Sequence, residues 1–158
     1  MVKGRNIHKH FNKLHVLKGV DIDITEGEFV SIVGDSGAGK TTLLHILGTL
    51  EAPTPDENSK LYINDIDIRK LNEVSLANFR NENIGFIFQF HQLLPEFTAF
   101  ENICIPGYIK KTNISDLEKK AIELMDFLNL STKFNNKPNE LSGGEKQRVA
   151  VARALINQ

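Results

Sequence analysis

The strongest chemical signal in this chain is a glycine-rich loop between residues 34 and 41 that matches G-x-x-x-x-G-K-[ST]. Glycines let successive backbone N–H groups approach an anion closely, as a triphosphate requires. Lys40 would add a positive charge at the β- and γ-phosphates, and the Thr41 hydroxyl would ligate Mg²⁺. The candidate phosphate-binding residues are Gly34, Asp35, Ser36, Gly37, Ala38, Gly39, Lys40, Thr41 and Thr42.

The simpler interpretation of this loop is a chance glycine turn before a helix. The flanking patterns argue against it, because residues 28–33 (EFVSIV) predict a buried strand and residues 41–50 predict a helix. Strand, glycine loop and helix form the context in which the motif binds phosphate. GTPases, small-molecule kinases and many ATPases share this loop, so it does not choose among them.

A second motif of chemical interest, residues 141–145, precedes a predicted helix over residues 145–156. Taken alone, Ser142 and Glu145 are explained as a capping box. It continues through Gln147-Arg148 and a largely apolar run at 149–155, and what this continuation resembles, given below, weakens the capping-box explanation. The candidate residues of this motif are Leu141, Ser142, Gly143, Gly144, Glu145 and Gln147.

The surrounding patterns predict the elements that would position both motifs. Alternation predicts strands at 16–25 and 61–68, paired in an antiparallel sheet, and residues 83–88 (NIGFIF) predict a further core strand that ends at Gln89. The chain then becomes helical, with Ser115 and Glu118 as a capping box. One helical face there is apolar: Leu117, Ala121, Leu124, Met125 and Leu128. Pro138 predicts a turn before the second motif.

Composition limits the class of protein. The 158 residues carry a net charge of -1, which gives no electrostatic reason to expect a nucleic-acid partner. A single cysteine, Cys104, excludes an internal disulfide and fits a reducing compartment. No apolar stretch approaches the roughly 20 residues of a membrane-spanning helix.

The two motifs in this order, with Gln89 between them, resemble the nucleotide-binding subunit of ATP-binding-cassette (ABC) transporters. The resemblance covers residues 7–158, and residues 84–102 are similar to the lipoprotein-releasing and macrolide-exporter branch. It implies an α/β P-loop NTPase fold with a mostly parallel core sheet, an antiparallel β subdomain and a helical subdomain, incomplete at the C-terminus. The implied divisions are 1–89 (ATP-binding core and β subdomain), 90–140 (helical subdomain) and 141–158 (signature motif and helix).

The resemblance also implies a shared active site that uses ATP and Mg²⁺. Two subunits would face each other head to tail, with Ser142 and the Gly144 N–H reaching the γ-phosphate of the partner's ATP. Gln89 would contact Mg²⁺ or the attacking water, alongside Thr41 at the metal. Phe11 would stack on adenine, although an ordinary core phenylalanine is an equally good interpretation.

The implied partners are a second ABC ATPase subunit and transmembrane permease subunits, and no nucleic acid is expected. The implied location of this chain is peripheral, at the cytoplasmic face of the inner membrane. A docking groove for the permease would come from the apolar residues after Gln89. These are Phe90, Leu93, Leu94, Phe97 and Phe100. The alternative is plain packing of the helical subdomain, and we expect part of the run to be core.

The family's Walker B Asp, catalytic Glu and switch His lie beyond the signature helix, and residues 1–158 contain no counterpart of them. We therefore expect the chain to be a fragment that hydrolyses ATP negligibly and folds poorly alone. If the chain truly ends at Gln158, a non-hydrolytic nucleotide-binding regulator is the alternative. A soluble ABC protein of DNA repair or translation is disfavoured, because residues 89–141 leave no room for a long insert.

Overall fold

The structure is a computed structural model that describes residues 1–158. Its backbone divides into two compact units, Met1–Leu76 and Ala77–Gln158, which are described separately below. The glycine-rich loop lies in the first unit. Gln89 and the second motif lie in the second unit.

The first unit contains a four-stranded antiparallel sheet in the order β2-β1-β3-β4. Its strands are β1 (Val2–Phe11), β2 (Leu14–Ile24), β3 (Lys60–Ile63) and β4 (Ile66–Asp67). The predicted strand at 16–25 and its place in an antiparallel sheet are confirmed. Its predicted pairing with the strand at 61–68 is wrong, because β1 lies between β2 and β3 and pairs with both. Strand β1 has no counterpart among the predicted strands. Its sequence VKGRNIHKHF does not alternate simply, because bulges interrupt its pairing with β2.

The predicted single strand at 61–68 is wrong, since the segment forms the hairpin β3–β4. Asn64 and Asp65 both have left-handed backbones, with φ of 49° and 62°. This is the conformation of a two-residue type I′ turn, which asparagine and aspartate tolerate. The chain therefore reverses in the middle of an alternating apolar pattern.

The two predicted core strands at 28–33 and 83–88 are not observed as strands. A strand is defined by its hydrogen bonds to a neighbour, and neither segment has such a ladder. Phe29 is 96% exposed and Val33 is 84% exposed, although their sequence is typical of a strand buried on both faces. The apolar pattern predicted a buried strand at each segment. A strand inside a sheet also requires neighbouring strands that supply its hydrogen bonds.

Helix α1 (Lys40–Leu47) follows the glycine loop and is three residues shorter than predicted at its C-terminus. Gly48 caps it, and Thr49 adopts a left-handed backbone with φ of 57°. The Leu50 N–H then donates to the His45 carbonyl, which closes the helix end as a Schellman turn does. The apolar core of this unit is formed by Ile7, Leu17, Leu43, Ile46, Leu61, Ile63 and Ile68.

The second unit is helical. Helix α2 (Glu73–Asn83) begins in the first unit and ends in the second. The other helices of the second unit are α3 (Ala99–Lys110), α4 (Ile114–Phe127) and α5 (Gly143–Leu155). Short 3₁₀ turns lie at Ser131–Lys133 and Pro138–Glu140, the latter at the predicted proline turn. None of the five α-helices combines the length and the apolar character needed to cross a bilayer.

The predicted apolar face of α4 is confirmed. Leu117, Ala121 and Met125 are at most 2% exposed and pack in one cluster with residues of α3 and α5. Leu124 and Leu128 pack at its edge. The predicted capping box at Ser115 and Glu118 is wrong, however. Asn113 caps α4 by accepting hydrogen bonds from the backbone N–H groups of Ser115 and Asp116.

Asn102 is the polar centre of this unit, with no exposed surface. Its side-chain oxygen accepts from the Leu94 N–H at 2.8 Å. Its amide nitrogen lies 3.1 Å from the Leu94 and Phe97 carbonyls and 2.9 Å from the Thr98 carbonyl. One side chain therefore holds the loop at 94–98 against the start of α3.

Candidate functional site

Glycine backbone conformations shape the loop at residues 34–39. Gly37 has φ of 81° with open space around it, so its conformation alone requires glycine. Gly39 has φ of 91°, and a β-carbon there would lie 2.9 Å from Leu17 and 3.0 Å from Val16. Strand β2 thus packs directly against the start of α1, which leaves room for glycine only.

Lys40 bridges this loop. Its ammonium group donates to the Gly34 carbonyl at 2.7 Å and to the Asp35 carbonyl at 2.6 Å. A lysine ammonium has three N–H donors, so a further one is available to a phosphate oxygen. The side chain is therefore already directed across the concavity in which a phosphate would bind.

The N-terminus of α1 is open to an anion. Its cap, Gly39, makes no side-chain hydrogen bond, and the first turn contains no acidic residue. The first N–H groups of the helix and its positive dipole end therefore remain for an anionic ligand. Thr41 is exposed and Thr42 half-buried in the same turn, whereas Asp35, Ser36 and Ala38 are exposed on the loop.

Phe11 lies at the end of β1 and is 45% exposed. The Lys9 ammonium lies 5.0 Å from its ring centroid, a cation–π distance. The ring is therefore not an ordinary core phenylalanine, and it offers accessible aromatic surface in the unit that contains the glycine loop. Its contact with adenine stays a prediction.

Gln89 lies in an exposed turn of the second unit and does not follow a paired strand. The turn is closed by a hydrogen bond from the His91 N–H to the Phe88 carbonyl at 3.0 Å. His91 and Gln92 both have left-handed backbones, with φ of 62° and 45°. Such conformations cost energy in residues other than glycine, so the turn needs support from elsewhere.

Arg153 of helix α5 supplies that support. Its guanidinium donates to the carbonyls of His91 and Gln92, each at 2.9 Å. Burial lowers the pKa of this guanidinium, yet it stays charged because its usual value is so high. The helix that begins at the second motif therefore restrains the segment just after Gln89. The sequence contains no signal for this contact, because it joins residues 61 and 62 positions apart.

Arg153→Met removes both of these hydrogen bonds while keeping much of the side chain's apolar volume. We expect backbone amides at 91–92 to exchange hydrogen roughly 10- to 100-fold faster, as loss of one or two charge-assisted hydrogen bonds implies. Hydrogen exchange followed by NMR measures this change. Lys146→Met on the same helix is the matched control, and equal exchange in the two variants would contradict the assigned role of Arg153.

The second motif begins helix α5. Ser142 is its N-cap, and the predicted capping box with Glu145 is present. The Ser142 N–H donates to Glu145 Oε2 at 2.7 Å, and the Glu145 N–H donates to Ser142 Oγ at 3.3 Å. Leu141 is buried in the core, whereas Gly143, Gly144 and Gln147 are exposed. The glycines thus leave the helix N-terminus accessible to an anion.

Hydrogen bonds set the charge of Glu145. The Ser142 backbone N–H, the Ser142 hydroxyl and Lys133, whose Nζ lies 3.2 Å away, lower the pKa of this carboxyl from 4.5 to about 2. A lowered pKa stabilises the folded state above the unfolded value, and that stabilisation is lost as pH falls from about 4.5 through about 2. The cap of α5 is therefore intact at neutral pH and weakens only in strong acid.

We expect carboxyl-¹³C NMR to show Glu145 titrating with a midpoint near pH 2. Ser142→Ala removes the hydroxyl but leaves the backbone donor, so it should raise the midpoint only part of the way towards 4.5. A midpoint at the ordinary value in the unmodified protein would show that the capping box does not persist in solution.

The apolar residues after Gln89 divide into two groups. Phe90, Leu94 and Phe97 are exposed, by 82%, 42% and 41%. Phe100 is buried against Phe134, with ring centroids 4.0 Å apart, and Leu93 packs at the edge of the core. Phe100 and Leu93 are therefore the part of this run that packs as core of the helical subdomain, as the alternative interpretation expects. Three exposed apolar side chains remain as a candidate contact surface.

Two relatives of this chain are ATP-binding proteins of the lipoprotein-releasing system. It is 54% identical over 158 residues to the lipoprotein-releasing system ATP-binding protein LolD of Bacteroides fragilis, which covers all of this chain and 72% of that protein. It is 55% identical over 157 residues to LolD of Porphyromonas gingivalis, covering 99% of this chain and 70% of that protein.

A solved structure has the same fold. The bacterial ABC transporter cassette MJ0796, described as a dimer, aligns with a TM-score of 0.89 and 41% identity, over 99% of this chain and 70% of that one. A second dimeric structure of MJ0796, in a post-hydrolysis state bound to ADP and Pi, aligns with a TM-score of 0.88. The expected ABC ATPase fold class is therefore confirmed. The family model for ABC transporters matches residues 17–158, and this chain belongs to the ABC transporter family.

Proposed function

We propose that this chain is the ATP-binding subunit of an ABC transporter that releases lipoproteins. The observation that carries the proposal is the similarity of the whole chain to lipoprotein-releasing ATP-binding proteins. The open phosphate loop supports it, because Lys40 already crosses the concavity and the first turn of α1 is uncapped.

The residues of the first unit fit a magnesium–nucleoside triphosphate. Backbone N–H groups of the loop and α1 would hold the phosphates, Lys40 would neutralise their charge, and Thr41 would ligate Mg²⁺. The Phe11 ring would stack on the adenine base. Mg²⁺ would supply charge neutralisation between the phosphates, and Gln89 would be its second protein ligand or orient the attacking water.

A second ATP-binding subunit would complete each site. Ser142 and the Gly144 N–H stand at the accessible N-terminus of α5, a suitable place for a γ-phosphate delivered by a partner. The dimeric state of the related cassette supports this arrangement. Within this scheme residues 1–89, 90–140 and 141–158 are the ATP-binding core with its β subdomain, the helical subdomain and the signature segment.

Permease subunits would contact the exposed residues Phe90, Leu94 and Phe97. Exposed aromatic and aliphatic side chains of this kind mark interaction surfaces. Such contacts would hold the subunit at the cytoplasmic face of the membrane, and ATP-driven closure of the dimer would be transmitted through the segment that Arg153 restrains.

We further propose that residues 1–158 on their own bind ATP but turn it over negligibly. Besides the contacts proposed for Thr41 and Gln89, hydrolysis needs a carboxylate that accepts the proton of the attacking water, and these residues present no Asp-Glu pair after an apolar strand. ATP turnover well above background, abolished by Lys40→Ala, would contradict this.

Co-purification tests the proposed transport class. The chain, co-expressed with lipoprotein-releasing permease subunits or with the permease of an unrelated ABC importer, should be retained only by the former. Phe90→Ser with Phe97→Ser should abolish retention, and Phe127→Ser is a matched control because Phe127 is likewise 80% exposed. Retention by the importer permease alone would overturn the lipoprotein assignment, and equilibrium dialysis with ATP and Mg²⁺ tests nucleotide binding independently.

A further inference from the structure

Three histidines lie together on the hairpin formed by β1 and β2. His8 and His10 are two residues apart on β1, so their side chains leave the same face of the strand. His15 on β2 is the cross-strand partner of His10. The opposite face buries Ile7 and Leu17 in the core, so the three imidazoles, which we call the histidine cluster, project away from it.

The rings of the histidine cluster are in direct contact. His8 Nδ1 lies 3.0 Å from His15 Nε2, and the rings of His10 and His15 stack with centroids 3.8 Å apart. One nitrogen from each ring can be chosen so that all three lie within 4.8 Å of one another. Tetrahedral Zn²⁺ with Zn–N bonds of about 2.0–2.1 Å needs nitrogens about 3.3 Å apart, so the His8–His15 pair is already close to that spacing. Rotation of the exposed His10 ring would bring the third nitrogen into place.

Hydrogen bonds fix the tautomer of His8. The Asn6 amide nitrogen donates to the Asp56 carboxylate at 2.9 Å, which orients the amide so that its oxygen faces His8. That oxygen lies 3.0 Å from His8 Nε2 and can only accept, so Nε2 carries the proton. His8 Nδ1 therefore accepts a hydrogen bond from His15 Nε2–H, and a metal ion bound between the two rings would displace that proton. A metal-binding histidine is typically oriented by such a hydrogen bond on its other nitrogen.

Partial burial is the largest cause that lowers the pKa of His15, and the neighbouring His10, His8 and Lys18 lower it further. A hydrogen bond to the Leu17 backbone acts in the opposite direction.

We propose that His8, His10 and His15 form a binding site for a divalent transition-metal ion such as Zn²⁺. Three imidazoles without a thiolate suit Zn²⁺, Ni²⁺ or Cu²⁺ and not Mg²⁺ or Ca²⁺, which prefer oxygen ligands. Three protein ligands leave a coordination position for water or an anion. The bound ion would cross-link β1 to β2 next to Phe11. The site does not depend on the proposed transport function.

Titration with Zn²⁺ tests the site in the unmodified chain. Isothermal calorimetry at neutral pH should show one Zn²⁺ bound per chain, and binding should raise the unfolding temperature through linkage. In ¹⁵N spectra the ring nitrogens of His8, His10 and His15 should shift, whereas those of His45 and His91 should not. Absence of binding, or shifts confined to the last two residues, would overturn the proposal. This spectrum needs no variant and is therefore independent of any effect of substitution on folding.

Single substitutions provide the second test. His10→Gln and His15→Gln should each weaken Zn²⁺ binding by more than the roughly 10- to 100-fold typical of losing a residue that only hydrogen-bonds to a metal ligand. His45→Gln, which removes an imidazole from α1, should leave the affinity unchanged. Circular dichroism of each metal-free variant verifies its fold. Equal affinity in all three variants, or one Zn²⁺ bound per two chains, would contradict a site within one chain.

Discussion

Lys40→Ala is expected to weaken ATP binding by roughly 10- to 150-fold, which corresponds to about 1.5–3 kcal/mol for a lost hydrogen bond to a charged group. The ammonium group donates to the Gly34 and Asp35 carbonyls and has a further donor for phosphate. Alanine removes the positive charge from the concavity but leaves the loop's backbone N–H groups. Residual binding should therefore persist and should depend on Mg²⁺.

Equilibrium dialysis or fluorescence of an ATP analogue measures this effect. Lys60→Ala is the matched control, because Lys60 is an exposed lysine of the same unit at the start of β3. Hydrogen exchange in α1 should be the same in both variants, which separates loss of a phosphate contact from loss of structure. ATP bound equally well by Lys40→Ala and by the unmodified chain would show that the glycine loop is not the nucleotide site.

Asn102→Leu is expected to lower the free energy of unfolding of the second unit by about 3 kcal/mol or more. Leucine has a similar size, so packing changes little. It removes the acceptor of the Leu94 N–H and the two amide N–H donors that three carbonyls share. The Leu94 N–H and the carbonyls of Leu94, Phe97 and Thr98 lose this partner in the interior. Leaving buried polar groups unpaired costs more than the net value of the bonds themselves.

Urea unfolding followed by circular dichroism measures the change. Asn139→Ala, at an exposed asparagine of the same unit, should be within about 0.5 kcal/mol of the unmodified chain. Asn102→Asp is a sharper test, since it keeps the acceptor for Leu94 but directs a carboxylate oxygen at three carbonyls. Wild-type stability for Asn102→Asp would contradict the assigned hydrogen bonds.

Sequence predicted best those features in which local residue chemistry is decisive. The glycines at 37 and 39 are required by positive φ, and Ser142 and Glu145 cap α5 by pairing each other's backbone N–H groups. The apolar face of α4 follows from helical periodicity, because residues three and four positions apart lie on the same side of the helix. Family membership was also visible in the sequence, because its motifs are runs of adjacent residues.

Local patterns were ambiguous wherever the same spacing or alternation of residues was compatible with two different structures. Ser115 and Glu118 have the capping-box spacing, yet Asn113 caps α4 and the working box in that region is Thr98 with Glu101. The alternation at 61–68 is compatible with one strand or two, and the left-handed backbones of Asn64 and Asp65 decide for a hairpin. A scan for every S/T-x-x-E spacing would have found Thr98 but could not have ranked it.

Only tertiary structure decided the contacts that join distant residues. Arg153 reaches back more than sixty positions to support the turn after Gln89, and His15 meets His8 and His10 only because β2 pairs with β1. The same reason explains the segments at 28–33 and 83–88. Their apolar side chains specify that burial is favourable, but a strand exists only when a neighbour supplies its hydrogen bonds. Residue types thus determined what each segment could do, and pairing in space determined which of those possibilities was realised.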